Sequence, residues 1–242
     1  RLKNFIKLIM KQKYYILKVY NYTLKVYKVF TEKESKVLRL LMSSNRYYSI
    51  NDIAKECKLS PNGSYKILLK LEKEDIVYYE EIGKIKAYKI NFNNPLILSY
   101  LEIVLKDKRL SEAKVKVRIK DLQDLTGICK SAAIFGSYVT QKKNPSDIDI
   151  MFVFEPNNLR LFNKKLDKIR ELVPYKIHDV IQAEHDLVNN IKKEDKIITG
   201  IIREGVILWG FDVIARSIKN AAHECYQAQK TRIYLRASKD GE

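Results

Sequence analysis

Cysteine is scarce in this 242-residue chain: Cys57, Cys129 and Cys225 are far apart and odd in number. That excludes a disulfide framework and a zinc site built on paired cysteines, and it makes a reducing cytoplasm the expected setting. No uninterrupted apolar run approaches the ~20 residues needed to cross a bilayer, and no signal peptide with a cleavage site is recognisable, so no transmembrane segment is expected. Internal repeats and low-complexity tracts are also missing. Acidic residues are absent from the first thirty positions, which carry eight lysines or arginines.

The formal net charge is +17, and the surplus lies mostly at the front, with 20 basic against 9 acidic residues through Pro95. Such an asymmetry suits a polyanionic partner, DNA or RNA, or an anionic membrane surface. A lysine- and isoleucine-rich composition is also a genome-wide or thermophile habit. In residues 1–30, Tyr14, Tyr15, Tyr20, Tyr22 and Tyr27 interleave with the basic residues and aliphatics. Four roles stay open for this segment: pairing with its copy in a dimer, packing on the next module, lying on a membrane surface, or contacting nucleic acid. The length allows two domains, each with its own core.

Residues 31–94 have a distinct grammar. Thr31-Glu32-Lys33-Glu34 has the form of a capping box, and Val37, Leu38, Leu40 and Leu41 follow on one helical face. Ser49 to Asp52 opens a second short helix that turns Ile53, Ala54 and Cys57 inward, and a third helix runs from Asn62 to Lys73 with Ile67, Leu68 and Leu71 apolar. Ile76 to Ile82 and Ile85 to Ile90 alternate as two strands around Gly83-Lys84, a hairpin signal. Three helices and a hairpin is the winged-helix order, and Asp52 to Ser60 resembles the second helix and turn of prokaryotic winged helix-turn-helix regulators. A DNA-binding module of this kind would use Asn62, Ser64, Tyr65 and Lys66 in the major groove and Lys84 and Lys86 on phosphates. Dimerisation or docking is the other use of the fold. Asn91 to Pro95 breaks the hairpin and marks the boundary, with a helix resuming from Leu96 to Leu105.

Beyond it, Ala132 to Phe135 has the composition of a short buried strand, ended by Gly136-Ser137 where backbone N–H groups can face a phosphate. After nine intervening residues Asp147-Ile148-Asp149-Ile150-Met151 alternates, which puts both carboxylates on one face of a strand and both isoleucines in the core. Two carboxylates that close repel unless a divalent cation neutralises them, and oxygen ligands beside a polyphosphate suit Mg²⁺ or Mn²⁺. Alone, such a pair is more readily a solvated loop and strand edge, with Ser146 as a turn or cap residue.

This arrangement resembles the polymerase-β-type nucleotidyltransferase superfamily, most closely its minimal prokaryotic branch, over roughly Pro95 to Gly210. The resemblance supplies a third carboxylate, Asp179 in Lys176-Ile177-His178-Asp179-Val180-Ile181, and a closing strand in Ile202 to Gly210. The chain departs from the family in a shorter loop at Gln141 to Pro145, and in His178, where the family has an aliphatic residue. Glu184 or Asp186 would replace Asp179 if its strand ended early. The resemblance implies that Asp147, Asp149 and Asp179 are catalytic and hold Mg²⁺ or Mn²⁺. It also implies that Gly136 and Ser137 orient the phosphates of a nucleoside triphosphate such as ATP, whose monophosphate passes to an RNA or protein hydroxyl.

The expected architecture is α+β: a basic aromatic segment at 1–30, a winged helix at 31–94, and a nucleotidyltransferase domain at 95–242 with a mixed sheet. Phe211 to Ala237 reads as a last helix burying Val213, Ile214, Ile218, Ala222 and Tyr226, and Trp209 as core. His223 and Cys225 do not form a metal pair. Partners implied are DNA, the RNA or protein acceptor, and a second copy or a toxin-type protein. The alternative function is a DNA-binding regulator or antitoxin-like protein whose transferase domain is inactive.

Overall fold

A computed structural model describes residues 30–140 and 145–237. The expectations for the basic segment at 1–29, and for Gln141, Lys142, Lys143 and Asn144 of the shortened loop, lie outside the described residues.

Helix α1 (Glu32–Met42) starts at Thr31, whose hydroxyl accepts the Glu34 N–H while the Glu34 carboxylate accepts the Thr31 N–H. Helix α2 (Ile50–Cys57) repeats the device with Ser49 and Asp52. Each box satisfies two N–H groups that a helix start leaves without partners. Helix α3 (Pro61–Lys73) takes proline in its first turn, with the Ser60 hydroxyl accepting the Gly63 N–H. A short strand β1 (Tyr48–Ser49) precedes α2, and β2 (Val77–Ile82) and β3 (Ile85–Ile90) form an antiparallel hairpin closed by Ile82 opposite Ile85. The three strands make one antiparallel sheet in the order β1-β3-β2.

After α4 (Ile97–Leu105) and α5 (Ala113–Asp121) comes a four-stranded mixed sheet of β4 (Cys129–Phe135), β5 (Asp147–Phe154), β6 (Lys176–Ala183) and β7 (Val206–Trp209), ordered β6-β5-β4-β7. Strands β5 and β6 run parallel, joined through α6 (Leu159–Leu172), and the other pairs are antiparallel. Helices α7 (Glu184–Lys192) and α8 (Lys196–Glu204) lead to β7, and α9 (Phe211–Ala237) ends the described chain. The closing strand is therefore shorter than expected: Ile202, Arg203 and Glu204 finish α8.

The large sheet is buried on both faces, which is why Ile150 to Phe154 is an unbroken apolar run. Against one face, Ala132, Ile134, Ile148, Ile150 and Phe152 pack with Val115 of α5 and Phe162, Leu166 and Ile169 of α6. Against the other, Ala133, Met151, Val153 and Ile207 pack with α4, α7, α8 and α9, and this cluster continues into α1, α3 and β3 through Val37, Leu68 and Tyr88. The core thus runs without interruption past the expected boundary at Asn91 to Pro95. Helix α9 buries Val213, Ile214 and Ile218, but Ala222 is only half-buried and Tyr226 is 63% exposed. Ala221 is buried instead, and beyond Cys225 the described part of the helix is exposed.

One buried cation joins these layers. Arg39, 5% exposed, donates to the carbonyls of Val104 and Leu105 at the end of α4 and to those of Ile202 and Gly205 at the end of α8. Carbonyls in a last helical turn lack intrahelical partners, and the guanidinium fork serves two such ends at once. Burial pushes the Arg39 pKa down to about 10, opposed by Asp107, whose carboxylate lies 3.7 Å away. Asp107 also accepts two hydrogen bonds from the Arg109 side chain, which donates onward to the carbonyls of Val139 and Glu204.

Candidate active site

Strand β4 ends at Phe135, which lies opposite Asp149 in the antiparallel register, so the turn that follows stands directly beside the start of β5. Gly136–Tyr138 forms a single 3-10 turn in which the Gly136 carbonyl accepts the N–H groups of Val139 and Thr140 and the Thr140 hydroxyl. Gly136 has φ +69°, and a Cβ at this position would lie 2.2 Å from Asp149 Oδ2. Only glycine allows the backbone to pass this close to the carboxylate. The turn is held from behind by Arg109, bonded to the Val139 carbonyl, and by Lys114, whose ammonium donates to the Tyr138 carbonyl at 3.2 Å.

Asp147 and Asp149 share the face of β5 that carries Met151 and Val153, and both are partly exposed, at 34% and 29%. Ile148 and Ile150 are buried on the opposite face, as alternation requires. The expected third carboxylate is not brought to this pair. In a parallel ladder, registered residues share a face; Asp149 pairs with His178, whereas Asp179 pairs with Ile150 and so faces α6. There Asp179 is ion-paired with Arg170. The residue beside the carboxylates is His178, with Nδ1 3.5 Å from Asp149 Oδ1 and 3.7 Å from Asp147 Oδ2. Neither substitute joins them: Glu184 pairs with Lys130, and Asp186 lies 3.1 Å from His185.

Two carboxylates on one face, packed against a turn that admits no side chain, fit a hard divalent cation with open positions for phosphate oxygens. Among the described residues, no three His, Cys, Asp or Glu side chains form a ready-made metal cage. An open cleft of about 480 Å³ between Ser43, Arg46, Lys196 and Arg203 lies away from these residues. Its Arg203 is neutralised by Glu56, and the start of α8 is capped by Asp195.

Of the residues expected to meet nucleic acid, Asn62, Tyr65, Lys66, Lys84 and Lys86 are exposed, with the Lys86 ammonium 3.8 Å from the centre of the Tyr79 ring. Ser64 is not available: it is fully buried in α3, with its hydroxyl lacking a partner among the described residues. It falls four residues before Leu68 and seven before Leu71, on the same inward stripe. His223 and Cys225 contact Gln227 and Asn45 respectively. Trp209 is half-buried, its indole donating to the Cys129 carbonyl.

Arg39, Arg109 and Lys114 carry no local signal in the sequence, and His178 stands out there only as a departure in the flank of Asp179.

A family model described as Polymerase beta, Nucleotidyltransferase matches residues 118–213, which include Gly136, Ser137, Asp147, Asp149, His178 and Asp179. This supports a polymerase-β-like domain over that stretch. No curated protein matches the chain. A solved structure of a mutant of Lactococcus lactis ZitR is similar at 12% identity with a TM-score of 0.28, covering 68% of this chain and 97% of that one. A likeness that weak carries no argument.

Proposed function

We propose that this protein is a metal-dependent nucleotidyltransferase that moves a nucleoside monophosphate from a triphosphate onto the hydroxyl of an RNA or protein acceptor. The observation that carries the reading is the close pass of Gly136 against Asp149, which sets a backbone turn and two carboxylates side by side within the stretch the family model matches. The N–H groups of the turn and the Ser137 hydroxyl orient the β and γ phosphates. Mg²⁺ or Mn²⁺ held by Asp147 and Asp149 would neutralise charge on the triphosphate and on departing pyrophosphate. The acceptor oxygen forms a bond to the α phosphorus, the bond from that phosphorus to the bridging oxygen breaks, and pyrophosphate leaves. The acceptor proton passes to a carboxylate of the pair or to water.

For the front of the chain, we propose a winged helix at 31–94 that binds DNA, carried by a transferase domain at 95–242 in a cytoplasmic protein. Support comes from the helix and strand order, from the exposure of Asn62, Tyr65, Lys66, Lys84 and Lys86, and from the basic surplus.

The test incubates the full chain with each of four α-³²P nucleoside triphosphates, Mg²⁺ or Mn²⁺, total RNA and lysate, beside Asp147→Ala/Asp149→Ala. Label in RNA or protein that the double variant abolishes supports the transferase. The removal of Asp179 to Arg170 favours a second reading, a DNA-binding regulator or antitoxin-like protein with an inactive domain. Absence of label under every condition, with triphosphate or DNA binding retained, would select it.

A further inference from the structure

We propose that the cation site is completed by His178, so that the ion is held by two carboxylates and one imidazole, and that Asp179 takes no part in it. The inference rests on the transferase reading and deepens it. Register fixes the assignment: His178 is the β6 residue level with Asp149 on the site face, and Asp179 cannot turn to that face without a one-residue slip of the whole strand. Such a slip would carry Ile177 out of the core cluster under α6.

His178 Nδ1 lies 3.5 Å from Asp149 Oδ1 and 3.7 Å from Asp147 Oδ2. Neighbouring ligands of one six-coordinate ion sit roughly 3 Å apart, so a small rotation of the imidazole closes the set. His178 is 45% exposed. Asp179 is occupied elsewhere, tied to Arg170, which also pairs with Asp167. An imidazole among the donors moves preference from Mg²⁺ toward Mn²⁺ and later transition ions, because nitrogen is a poor ligand for Mg²⁺.

Pulsed electron paramagnetic resonance of the full chain with Mn²⁺ and inorganic tripolyphosphate, which holds no nitrogen, reads the ligand directly. Wild type should show ¹⁴N coupling from a bound imidazole that becomes ¹⁵N coupling when histidine alone is labelled. Asp179→Asn should keep it. His178→Ala should lose it, with Mn²⁺ affinity falling about 10–100-fold, and His178→Asp should raise Mg²⁺ affinity relative to Mn²⁺. His178→Gln serves as a second variant if the alanine form unfolds by circular dichroism. Mn²⁺ bound without histidine coupling, or coupling lost in Asp179→Asn, overturns the proposal and leaves the transferase standing. Failure of wild type to bind Mn²⁺ with tripolyphosphate overturns both.

Discussion

Gly136→Ala is the sharpest test of how the site is built. The added Cβ would meet Asp149 Oδ2 at 2.2 Å, against ordinary contacts of 3.4 Å or more, so the turn and the carboxylate must separate by roughly 1 Å. A displacement of that size in a positioned site costs about 10²-fold in rate. Alanine at φ +69° adds roughly 1–2 kcal/mol of left-handed strain, lowering Tm by about 2–8 °C in a chain of this size. Gly83→Ala separates the two effects, because Gly83 has φ +64° but open space at its Cβ, far along the chain in the β2–β3 turn. The assay pairs thermal unfolding with the transfer rate. Both variants should lose similar stability, and only Gly136→Ala should lose activity. A Gly136→Ala rate within about threefold of wild type would refute the claim that the close pass organises the site.

Arg39→Met should destabilise the fold by about 3–5 kcal/mol in urea unfolding, since it strands buried carbonyls of two helix ends; less than about 1 kcal/mol would show that water or local relaxation replaces the guanidinium. At Asp107, burial pushes the carboxyl up, but hydrogen bonds and charge from Arg109, with the charge of Arg39, outweigh it and hold the pKa below the usual range. A depressed carboxylate stabilises the fold fully above its unfolded pKa of about 3.9, and that contribution fades as pH falls through the folded value. Asp107→Asn should therefore be less stable than wild type at pH 7, with the gap closing below about pH 4; a gap constant across that range would contradict the assignment. Lys66→Ala should weaken DNA binding and flatten its salt dependence by about one unit while sparing transfer, and Asp147→Ala should do the reverse. Ser64→Ala should leave DNA affinity unchanged in a binding titration, because the hydroxyl faces the core.

Much of this protein is determined locally. Capping boxes at Thr31 and Ser49, the Gly83-Lys84 turn and the alternation of Asp147 to Ile150 depend on residues within a few positions of one another, so the sequence alone placed those elements and the carboxylate pair. Gly136 was legible as the end of a strand, but the reason it must be glycine, its pass against Asp149, is a contact across the sheet. The family resemblance puts Asp179 with the pair, and alternation gives the two faces of β6 without saying which of them joins that of β5. Only the parallel pairing of β5 with β6 decides that His178, and not Asp179, stands beside the carboxylates. Arg39 is the same lesson in the core: its four carbonyl partners lie 65 to 166 residues away, so no local pattern identifies it. The local elements, the charge and the paired aspartates follow from neighbours in the chain; which side chains share a face does not, because register and helix-end contacts are settled by packing between distant segments.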